Sequence, residues 1–492
     1  MESAMTDDSH DSPRDRGGDL ALGIDFGTTA VKAMVVDEQG REVALGSSPT
    51  RLITGANGLV EQDPEEMWQG GCLAVRDALS GVIAADRITS LSLSSQGGTL
   101  IITDEQGHPL ANAFSWMDTR PNIDPDALGD DLDADFFRAK TGWELASCLP
   151  LAQLIRIRRH RPELLEKGEE IHFVDSWCIR RMTGRPLCNP SDAAITMLYD
   201  VGEDRWDERL MELAGVERSM LPPVEPSGTV AGELAETAAD ELGLDPGLTV
   251  VSGAHDQYCA AHGAGCREAG DTIISCGTAW VLLAMTDGRR FESAGRLASA
   301  RAITPGLWGL LGSCPTAGAS VDWFRGTLSE SDEALPFEDF QTAATGVTPS
   351  EDNPVFLPPG GRNDDGRLVG LSLHHGRGEL ARAAMEGAAM SARVLLDEMK
   401  GAGASPRILG AVGGATRSAP WMQIIADVTN LKVEVAGVQE AASYGAALVA
   451  GTSTGLIEPD AARPPAGDTF EPRPDCTAIY DKLYRVYQEA QR

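Results

Sequence analysis

The stretch Leu20-Ala-Leu-Gly-Ile-Asp-Phe-Gly-Thr-Thr-Ala-Val-Lys-Ala-Met-Val-Val36 decides the fold of this 492-residue chain. Its two apolar runs, 20–25 and 31–36, enclose a Phe-Gly-Thr-Thr turn and therefore predict a strand, a turn and a second strand. The same order returns with Thr272-Ile-Ile-Ser275, the turn Cys276-Gly277-Thr278 and the apolar run 279–284. The recurrence indicates two similar α/β halves, without proving that the chain arose by duplication.

Further elements can be placed around this repeat. Asp63-Pro64-Glu65-Glu66 combines a helix cap, a proline in the first turn and acidic residues, and it predicts a helix that runs towards Leu79. The apolar run Thr249-Val-Val-Ser252 predicts a strand that leads into Gly253-Ala-His-Asp256-Gln257, a candidate site at a strand end. We expect a domain boundary at 263–271, a loop at 460–475 and a final helix at 477–491.

The composition narrows the class of protein and its partners. Apolar residues make up 42% of the chain, as in globular proteins, and 41 basic against 74 acidic residues give a net charge of −33. So negative a chain repels phosphate backbones and anionic lipid surfaces, which makes nucleic acid and membranes poor partners. The nine cysteines include no Cys-x-x-Cys pair, which argues against a zinc site or a disulfide framework and favours a reducing cytoplasm. Residues 1–19 are polar and are expected to form a disordered leader rather than a signal peptide or a membrane span.

Glycine-rich turns supply candidate sites for an anion. Gly27-Thr28-Thr29 and Gly277-Thr278 can present backbone N–H groups and hydroxyls to phosphate, although one such turn alone is more often an ordinary hairpin. A third element, Gly413-Gly414-Ala415, lies between an apolar run and a helix expected from about Ser418, and nucleotides favour such places. The sequence has no Gly-Lys-Ser/Thr, which excludes a P-loop.

Several motifs together resemble those of the FGGY carbohydrate kinases, within the actin-like ATPase superfamily. The segment 23–32 is similar to the family's first phosphate motif. Gly366-Arg-Leu-Val-Gly370-Leu371, a seven-residue gap and Glu379-Leu-Ala-Arg-Ala-Ala-Met-Glu386 match its C-terminal signature at every constrained position. The resemblance covers about residues 20–455, and other segments with the family's order and spacing are 115–120, 253–257, 275–278, 317–323 and 413–415.

This resemblance implies an α/β fold in which two ribonuclease-H-like, actin-like ATPase domains flank a central cleft. Residues 20–265 would bind the sugar, residues 266–455 would bind most of Mg-ATP, and residues 456–492 would form a C-terminal loop and helix. The matching positions imply a metal site for Mg²⁺ at Asp25 and Asp256, and a nucleotide site at Asp25, Gly27, Thr28, Thr29, Lys32, Gly277, Thr278, Gly318, Asp322, Gly413, Gly414 and Ala415. For Lys32, which lies on a strand with alternating faces, a solvated surface lysine is the alternative.

Asp256 is the candidate catalytic residue. Phosphoryl transfer to an alcohol needs a carboxylate that accepts the hydroxyl proton as the oxygen attacks. The alternative is an N-cap, because a helix could begin at Gln257 and aspartate is a favoured cap. The spacing of the family motifs favours catalysis, and His255 is given no role.

The predicted sugar site departs from better-known members of the family. Xylulose kinases usually carry Gln-Met-His-Gly, and glycerol kinases Gln-Arg-Glu-Thr, where this chain has Gln96-Gly97-Gly98-Thr99. The two glycines either open space or allow close backbone contact, so another pentulose, a hexose derivative or a polyol is expected and glycerol is disfavoured. The candidate substrate-binding residues are Gln96, Gly97, Gly98, Trp116, Asp118, Asp256 and Gln257. The alternative for Trp116 is packing in the core, and the alternative for Asp118 is a place in an exposed turn.

The sequence thus predicts a cytoplasmic, ATP-dependent and Mg²⁺-dependent kinase of a small sugar or polyol, of the pentulose type. The rival is a non-phosphorylating actin-like ATPase or a sugar-responsive regulator, which would share the Gly-Thr turns but need no base at Asp256. Neither an added substrate-binding domain nor a basic DNA-binding segment is evident in the sequence. The exact acceptor and the oligomeric state stay open, with a homodimer among the alternatives.

Overall fold

The computed structural model describes residues 18–80, 83–121, 132–290, 296–360, 365–461 and 463–491. Most of the expected leader, residues 1–17, lies outside this set. The described chain is a mixed α/β structure built around two large sheets.

The strands and helices alternate along most of the chain. The strands are β1 (Leu20–Phe26), β2 (Ala30–Asp37), β3 (Glu42–Pro49), β4 (Ile53–Thr54), β5 (Val60–Gln62), β6 (Ile88–Ser95), β7 (Leu100–Thr103), β8 (Ala113–Phe114), β9 (Glu170–Phe173), β10 (Tyr199–Asp200), β11 (Arg205–Trp206), β12 (Val230–Glu233), β13 (Thr249–His255), β14 (Thr272–Cys276), β15 (Trp280–Thr286), β16 (Ala298–Arg301), β17 (Trp308–Cys314), β18 (Val355–Leu357), β19 (Arg367–Val369), β20 (Ile408–Val412), β21 (Lys432–Ala436) and β22 (Ala466–Phe470). The helices are α1 (Pro64–Leu79), α2 (Ala134–Thr141), α3 (Pro150–His160), α4 (Pro162–Lys167), α5 (Val174–Thr183), α6 (Pro190–Ile195), α7 (Glu208–Ala214), α8 (Glu236–Leu242), α9 (Asp256–Gly263), α10 (Ala317–Thr327), α11 (Phe337–Thr345), α12 (Arg377–Gly401), α13 (Ala419–Thr429), α14 (Ala441–Ser453) and α15 (Pro474–Gln491).

The two large sheets share one topology. The first has the order β12-β13-β6-β1-β2-β3, and the second has the order β16-β17-β15-β14-β20-β21-β22. In each sheet, three neighbouring strands are antiparallel: β1, β2 and β3 in the first, and β14, β15 and β17 in the second. On the other side of β1 and of β14, the sheet continues with two strands that run parallel to it: β6 and β13 in the first, and β20 and β21 in the second. The two-half repeat predicted from the Gly-Thr turns is therefore confirmed at the level of strand order.

The local patterns explain why these elements form. Every residue of β1 is buried, as expected for a central strand covered on both faces. Helix α1 begins where the cap was predicted, because the Asp63 side chain accepts a 2.9 Å hydrogen bond from the Glu65 N–H and Pro64 occupies the first helical position. The expectation of a plain loop at 460–475 is wrong, since β22 pairs with β21 at the edge of the second sheet.

Helix α14 packs against the first sheet although it lies late in the chain. It contacts β1, β6 and α9, and a Cβ atom on Gly23 of β1 would collide with the backbone of Ser443 and Ala447. In the same way, Gly445 lies against the carbonyl of Cys259 in α9. The absence of side chains at these glycines lets the helices and the strand approach closely. On the opposite face of the first sheet, α1, α5 and α8 enclose a separate apolar core.

The residues of the C-terminal signature are buried in the second half of the molecule. Arg382 and Glu386 lie one turn apart on α12, with 4% and 2% of their surfaces exposed, and form an ion pair. The hydroxyl of Tyr480 on α15 accepts a 2.7 Å hydrogen bond from Arg382 and donates one of 2.7 Å to Glu386. This part of the signature therefore fastens α15 to α12. Within the described ranges, none of the helices combines the length and the hydropathy that a membrane crossing requires.

Candidate active site

Three parallel strands of the first sheet end at one edge and bring two carboxylates together. In the strand register, Asp25 of β1 lies opposite Ser94 of β6, and Ala254 of β13 lies opposite the same serine from the other side. Asp256 follows β13 directly, as the first residue of α9. Asp25 and Asp256 thus flank the carboxyl end of β6, a position where α/β proteins commonly bind ligands.

Asp25 is a buried carboxylate with one hydroxyl partner. It is 9% exposed, and the Ser94 hydroxyl donates a 2.7 Å hydrogen bond to its Oδ1. Burial raises the pKa of Asp25 to about 7, and the negative charge of Asp256 acts in the same direction. The electrostatic environment at this edge therefore favours the arrival of positive charge.

Asp256 points an unsatisfied oxygen into the same region. Its Oδ1 is buried and has no hydrogen-bond partner among the described residues, although His255 Nε2 lies 3.2 Å away. Burial lowers the pKa of His255, which favours the neutral ring. The alternative reading of Asp256 as a helix cap is wrong, because His255 occupies the cap position and Asp256 is already helical. Its carboxylate remains available for chemistry.

A chain of side-chain hydrogen bonds links the turn after β1 to the turn after β6. The Thr28 hydroxyl donates to Gln96 Oε1 at 2.9 Å and accepts from the indole N–H of Trp116 at 3.1 Å. Gln96 is buried, and its amide donates to Gln62 Oε1 at 2.9 Å. Sequence reasoning missed Gln62, which lies on β5 in a separate small sheet, because a lone glutamine carries no signal of its own. The Thr28 hydroxyl, expected to face phosphate, here joins two residues of the predicted sugar site.

Gly97 and Gly98 provide close packing rather than open space. A Cβ atom on Gly97 would lie 2.5 Å from Cδ2 of His255, and one on Gly98 would lie 2.9 Å from Cδ2 of Leu149 and 3.2 Å from Cβ of Trp116. Gly98 also has a φ of +74°, a conformation that side-chain-bearing residues rarely adopt. Of the two readings offered by the sequence, the close backbone contact is the one that the structure supports.

Asp118 and Gln257 differ in how they are placed. The carboxylate of Asp118 is 1% exposed, and both its oxygens accept hydrogen bonds from Arg120, which also binds Glu61 at 2.7 Å. The exposed-turn reading of Asp118 is therefore wrong, and its carboxylate is held by an ion pair. Gln257 is partly exposed on the first turn of α9, directly after Asp256.

Lys32 forms an ion pair instead of standing alone on the surface. It lies directly opposite Asp25 in the β1–β2 register, and its Nζ contacts Glu440 Oε2 at 2.5 Å. Its positive charge counters the burial that raises the pKa of Asp25. Thr29, by contrast, is exposed at the tip of the turn, and Gly27 is partly exposed beside Asp25.

In the second half, glycines from three elements meet at the ends of β14 and β20. Gly277 and Thr278 follow β14 and are exposed, while Gly318 in the first turn of α10 has no room for a Cβ atom because of the Gly277 carbonyl. Gly413 follows β20 with a φ of +94°, and a Cβ atom there would lie 2.9 Å from the Cys276 carbonyl oxygen. The structure thus brings these four predicted nucleotide residues together.

The remaining predicted nucleotide residues border this group. Gly414 and Ala415 belong to a short 3₁₀ helix that leads to Ser418, whose hydroxyl caps α13 by accepting a 3.1 Å hydrogen bond from the Trp421 N–H. Asp322 is exposed on α10 and pairs with Arg325 at 2.7 Å. Next to it, the side chain of Trp323 is 62% exposed, a large surface aromatic that sequence reasoning did not select.

A buried polar cluster that the sequence did not reveal supports the junction of β13 and α9. The His255 N–H donates to Ser191 Oγ at 3.0 Å, and Ser191 donates to Asn189 Oδ1 at 2.6 Å. The Asn189 amide donates in turn to Asp175 at 3.1 Å and to Asp192 at 2.7 Å. Burial raises the pKa of both carboxyls, that of Asp175 to about 6. This cluster fixes the backbone from which Asp256 projects.

The donors at the sheet edge fit a magnesium ion. Mg²⁺ prefers oxygen ligands and is commonly held by one or two carboxylates together with substrate phosphates. Asp25, whose carboxylate is destabilised by burial, and Asp256, whose Oδ1 lacks a partner among the described residues, provide such a pair. The described residues contain no cluster of three or more metal-binding side chains, so this pair matches a phosphate-assisted site rather than a closed one.

The shared sheet topology and the paired glycine-rich turns define an actin-like ATPase fold with two halves. Comparison with known families gives the class of protein: the family model for the N-terminal domain of FGGY carbohydrate kinases matches residues 20–263, and the model for their C-terminal domain matches residues 272–454. The chain belongs to the FGGY family of carbohydrate kinases. It is accordingly an ATP-dependent kinase of a sugar or polyol.

Individual relatives carry two different substrate names. The chain is 33% identical over 460 residues to a glycerol kinase of Trichlorobacter lovleyi, with 88% of this chain and 90% of the relative covered. It is 29% identical over 455 residues to a xylulose kinase of Bacillus subtilis, with 89% of each covered. The crystal structure of a xylulose kinase from Rhodospirillum rubrum matches with a TM-score of 0.86 and 26% identity, covering 96% of this chain and 98% of that one.

Proposed function

We propose that the chain transfers the γ-phosphoryl group of ATP to a hydroxyl of a pentulose-type sugar or a related polyol, with Asp256 as general base. The observation that carries this proposal is the unpartnered, buried Oδ1 of Asp256 at the strand edge that also holds Asp25. A carboxylate in that position can accept the proton of an attacking hydroxyl. The predicted rival, an ATPase without an acceptor, would not require a proton-accepting carboxylate at this position.

The acceptor would be held by the residues around this carboxylate. Gln96 and Gln257 carry amides that can bind sugar hydroxyls, and Trp116, 38% exposed, offers an aromatic face for the apolar side of a sugar ring. Gly97 and Gly98 would contribute backbone rather than an empty volume. Asp118 would act through its ion pair with Arg120, as a support for the turn that carries Trp116.

The nucleotide would be held mainly by the second half of the chain. Exposed N–H groups and the hydroxyl at Gly277-Thr278 would bind phosphates, as would Gly27 and Thr29 of the first half. The glycine group at Gly318, Gly413 and Gly414, with Ala415 and Asp322 at its border, would receive the adenosine. Lys32, which is held by its ion pair with Glu440, would partly offset the negative charge of Asp25.

Mg²⁺ would be bound by Asp25 and Asp256 together with the phosphates of ATP. When bound, this ion neutralises charge on the transferring phosphoryl group. We further propose the division into a sugar-binding part at 20–265 and a nucleotide-binding part at 266–455, with the modification that α14 belongs with the first sheet by its contacts.

The identity of the acceptor is the question that an experiment resolves most directly. We expect a panel of pentuloses, hexose derivatives and polyols, offered with Mg-ATP, to release ADP fastest with a pentulose and slowly with glycerol. The matched control is Asp256→Asn, which should abolish the acceptor-dependent part of ADP release. If ADP release is the same with and without every acceptor in the panel, the proposed phosphoryl transfer to a sugar is wrong.

A further inference from the structure

The side chain of Gln153 on α3 contacts three backbone segments at once. It is 1% exposed, and its amide nitrogen lies 2.7 Å from the carbonyl oxygen of Cys148 and 3.2 Å from those of Gly98 and Ser115. Carbonyl oxygens accept hydrogen bonds, so an amide oxygen in the same place would be repelled by all three. The surroundings therefore fix the orientation of the amide, with its nitrogen between the three segments.

Two of these segments carry residues of the candidate acceptor site. Gly98 lies in the turn that follows β6 and begins with Gln96, and Ser115 directly precedes Trp116. Gln153 binds the backbone of both segments from a buried position. It therefore holds residues of the acceptor site without being exposed in that site.

The third segment leads from Cys148 into α3. Leu149, the next residue, packs against the same turn, since a Cβ atom on Gly98 would lie 2.9 Å from its Cδ2. The start of α3 is thus fixed to the Gly98 turn both by an apolar contact and by the amide of Gln153.

Two of the three carbonyls depend on this amide. In the part of the chain that the structure describes, those of Gly98 and Cys148 accept no hydrogen bond from another protein group. The carbonyl of Ser115 also accepts one of 2.9 Å from the Asp118 N–H. Because a polar group inside a protein is destabilised when it loses its partner, removal of the amide should release the Gly98 turn and the segment at Cys148.

The Gly98 turn and the segment at Ser115 are also joined at their base. Leu100 pairs with Phe114 across β7 and β8, two residues after Gly98 and one before Ser115. Loss of the Gln153 amide should therefore loosen the two segments and leave the sheet paired.

We propose that Gln153 is a positioning residue for the acceptor, which it does not touch. By binding the turn at Gly98 and the segment before Trp116, it sets the distance between Gln96 and Trp116 and so determines which acceptors fit between them. This inference rests on the proposed function, because it takes the residues around Asp256 as the acceptor site.

Gln153→Met tests this role, since methionine has nearly the same length but no donor. We expect the KM for the acceptor to rise about 5- to 30-fold and the KM for ATP to stay within about twofold, because the lost hydrogen bonds support only the acceptor site. Discrimination among the pentuloses, hexose derivatives and polyols should also fall, since a loosened pocket rejects a poor fit less strongly.

A control and a second variant accompany it. Gln423→Met removes an amide from α13 in the second half, where it donates to Asp427 at 3.0 Å and to the Glu471 carbonyl at 2.8 Å. It should keep the acceptor KM and the acceptor ranking of wild type. Gln153→Asn keeps the amide but shortens its reach by one methylene, so it should change the same quantities in the same direction, and it serves where the methionine variant does not fold.

Hydrogen exchange in the same variants tests the held segments without any acceptor. Both Gln153 variants should exchange the backbone amides of residues 96–99 and 115–118 faster than wild type, and Gln423→Met should not. Unchanged exchange there would overturn the proposal. Faster exchange with an unchanged acceptor KM and ranking would also overturn it, as would equal rises in the KM for acceptor and for ATP.

Failure of the proposed function gives a different result. Wild type would then release ADP at the same rate with and without every acceptor, which would also remove the acceptor role of Gln153. Hydrogen exchange would still decide whether its amide holds the two segments.

Discussion

The hydroxyl of Thr28 lies 2.9 Å from Oε1 of Gln96 and donates a hydrogen bond to it. The residue that the Gly-Thr motif assigns to phosphate is thus bound, in this arrangement, to a residue assigned to the sugar. The indole of Trp116 donates to the same hydroxyl at 3.1 Å. Any movement of Thr28 towards phosphate must release Gln96 and Trp116, so we expect the binding of the two substrates to be coupled at this point.

Thr28→Ala should therefore weaken binding of the acceptor more than binding of the nucleotide. The change removes two neutral hydrogen bonds, at a cost of about 1–2 kcal/mol, so we expect the KM for the acceptor to rise about 5- to 30-fold. Thr278→Ala, at the exposed turn of the second half, is the comparison and should raise the KM for ATP instead. Steady-state kinetics with each substrate varied in turn provides the measurement. A Thr28→Ala enzyme with a raised KM for ATP alone would show that the hydroxyl serves phosphate after all.

Asp256→Asn should remove the chemistry and leave the fold intact. Asparagine keeps the shape of the side chain but cannot accept the acceptor's proton, so kcat should fall by about 10²–10⁴. The melting temperature should stay close to wild type, because Asp256 does not cap α9. Calorimetric binding of ADP should also be retained. Asp240→Asn, an exposed change on α8, serves as the control, and an Asp256→Asn enzyme with near-normal turnover would exclude Asp256 as the base.

Gly97→Ala should damage both stability and turnover. Its methyl group would press against His255 and against Cδ1 of Ile195 at 2.9 Å, and overpacking of this kind costs about 1–3 kcal/mol. Because His255 directly precedes Asp256, we expect kcat to fall as well. Gly326→Ala on α10, which has open space around it, should gain up to about 1 kcal/mol. Chemical denaturation gives the free energy of unfolding of both variants. An equal change in the two variants would show that Gly97 is not closely packed.

Gly98→His, a substitution that would imitate the family's xylulose motif, should unfold the turn rather than change specificity. The positive φ of Gly98 and the contacts with Leu149 and Trp116 both oppose a side chain. A folded, active variant with a new acceptor ranking would contradict this expectation.

Arg382→Met should destabilise the protein in a pH-dependent way. It leaves Glu386 buried without its positive partner, and breaking such a pair costs about 3–5 kcal/mol. Burial already raises the pKa of Glu386, and the loss of Arg382, which lowers it, should raise it further. The folded variant then binds this proton more tightly than the unfolded chain, so its stability falls as pH rises.

Urea denaturation of the Arg382→Met variant at several pH values tests whether its stability falls as pH rises. We expect its deficit relative to wild type to be smaller at pH 5 than at pH 8. Arg377→Met, which removes an exposed ion pair with Glu330, should cost less than about 1 kcal/mol at either pH. A deficit for Arg382→Met that does not change with pH would show that Glu386 is not the group responsible.

The features that could be predicted from the sequence are those whose signal lies in neighbouring residues. The strand–turn–strand repeat, the Asp63 cap of α1 and the helix start near Ser418 depend on neighbouring residues, and all three are present in the structure. The site residues were selected by motif. The structure brings Asp25, Asp256 and Gln96 to one edge of the first sheet, and Gly277, Thr278, Gly318 and Gly413 to the ends of β14 and β20.

Contacts between distant parts of the chain could not be read in this way. Lys32 and Glu440 are 408 positions apart, so the ion pair leaves no pattern that a local reading can detect. The space around Gly97 is filled by Ile195 and His255, neither of which is near it in sequence. For the same reason the sequence allowed both open space and close contact at the two glycines, and only the packing distinguishes them.

The position of α14 constrains the order in which the molecule can be made. One face of β1 is covered by a helix that begins at residue 441, so a growing chain displays that apolar face until most of its length has been synthesised. A fragment that stops at residue 265 lacks this cover and should aggregate or bind chaperones, although it holds every strand of the first sheet. Supplying residues 266–492 as a second polypeptide should restore solubility, because it provides the missing helix.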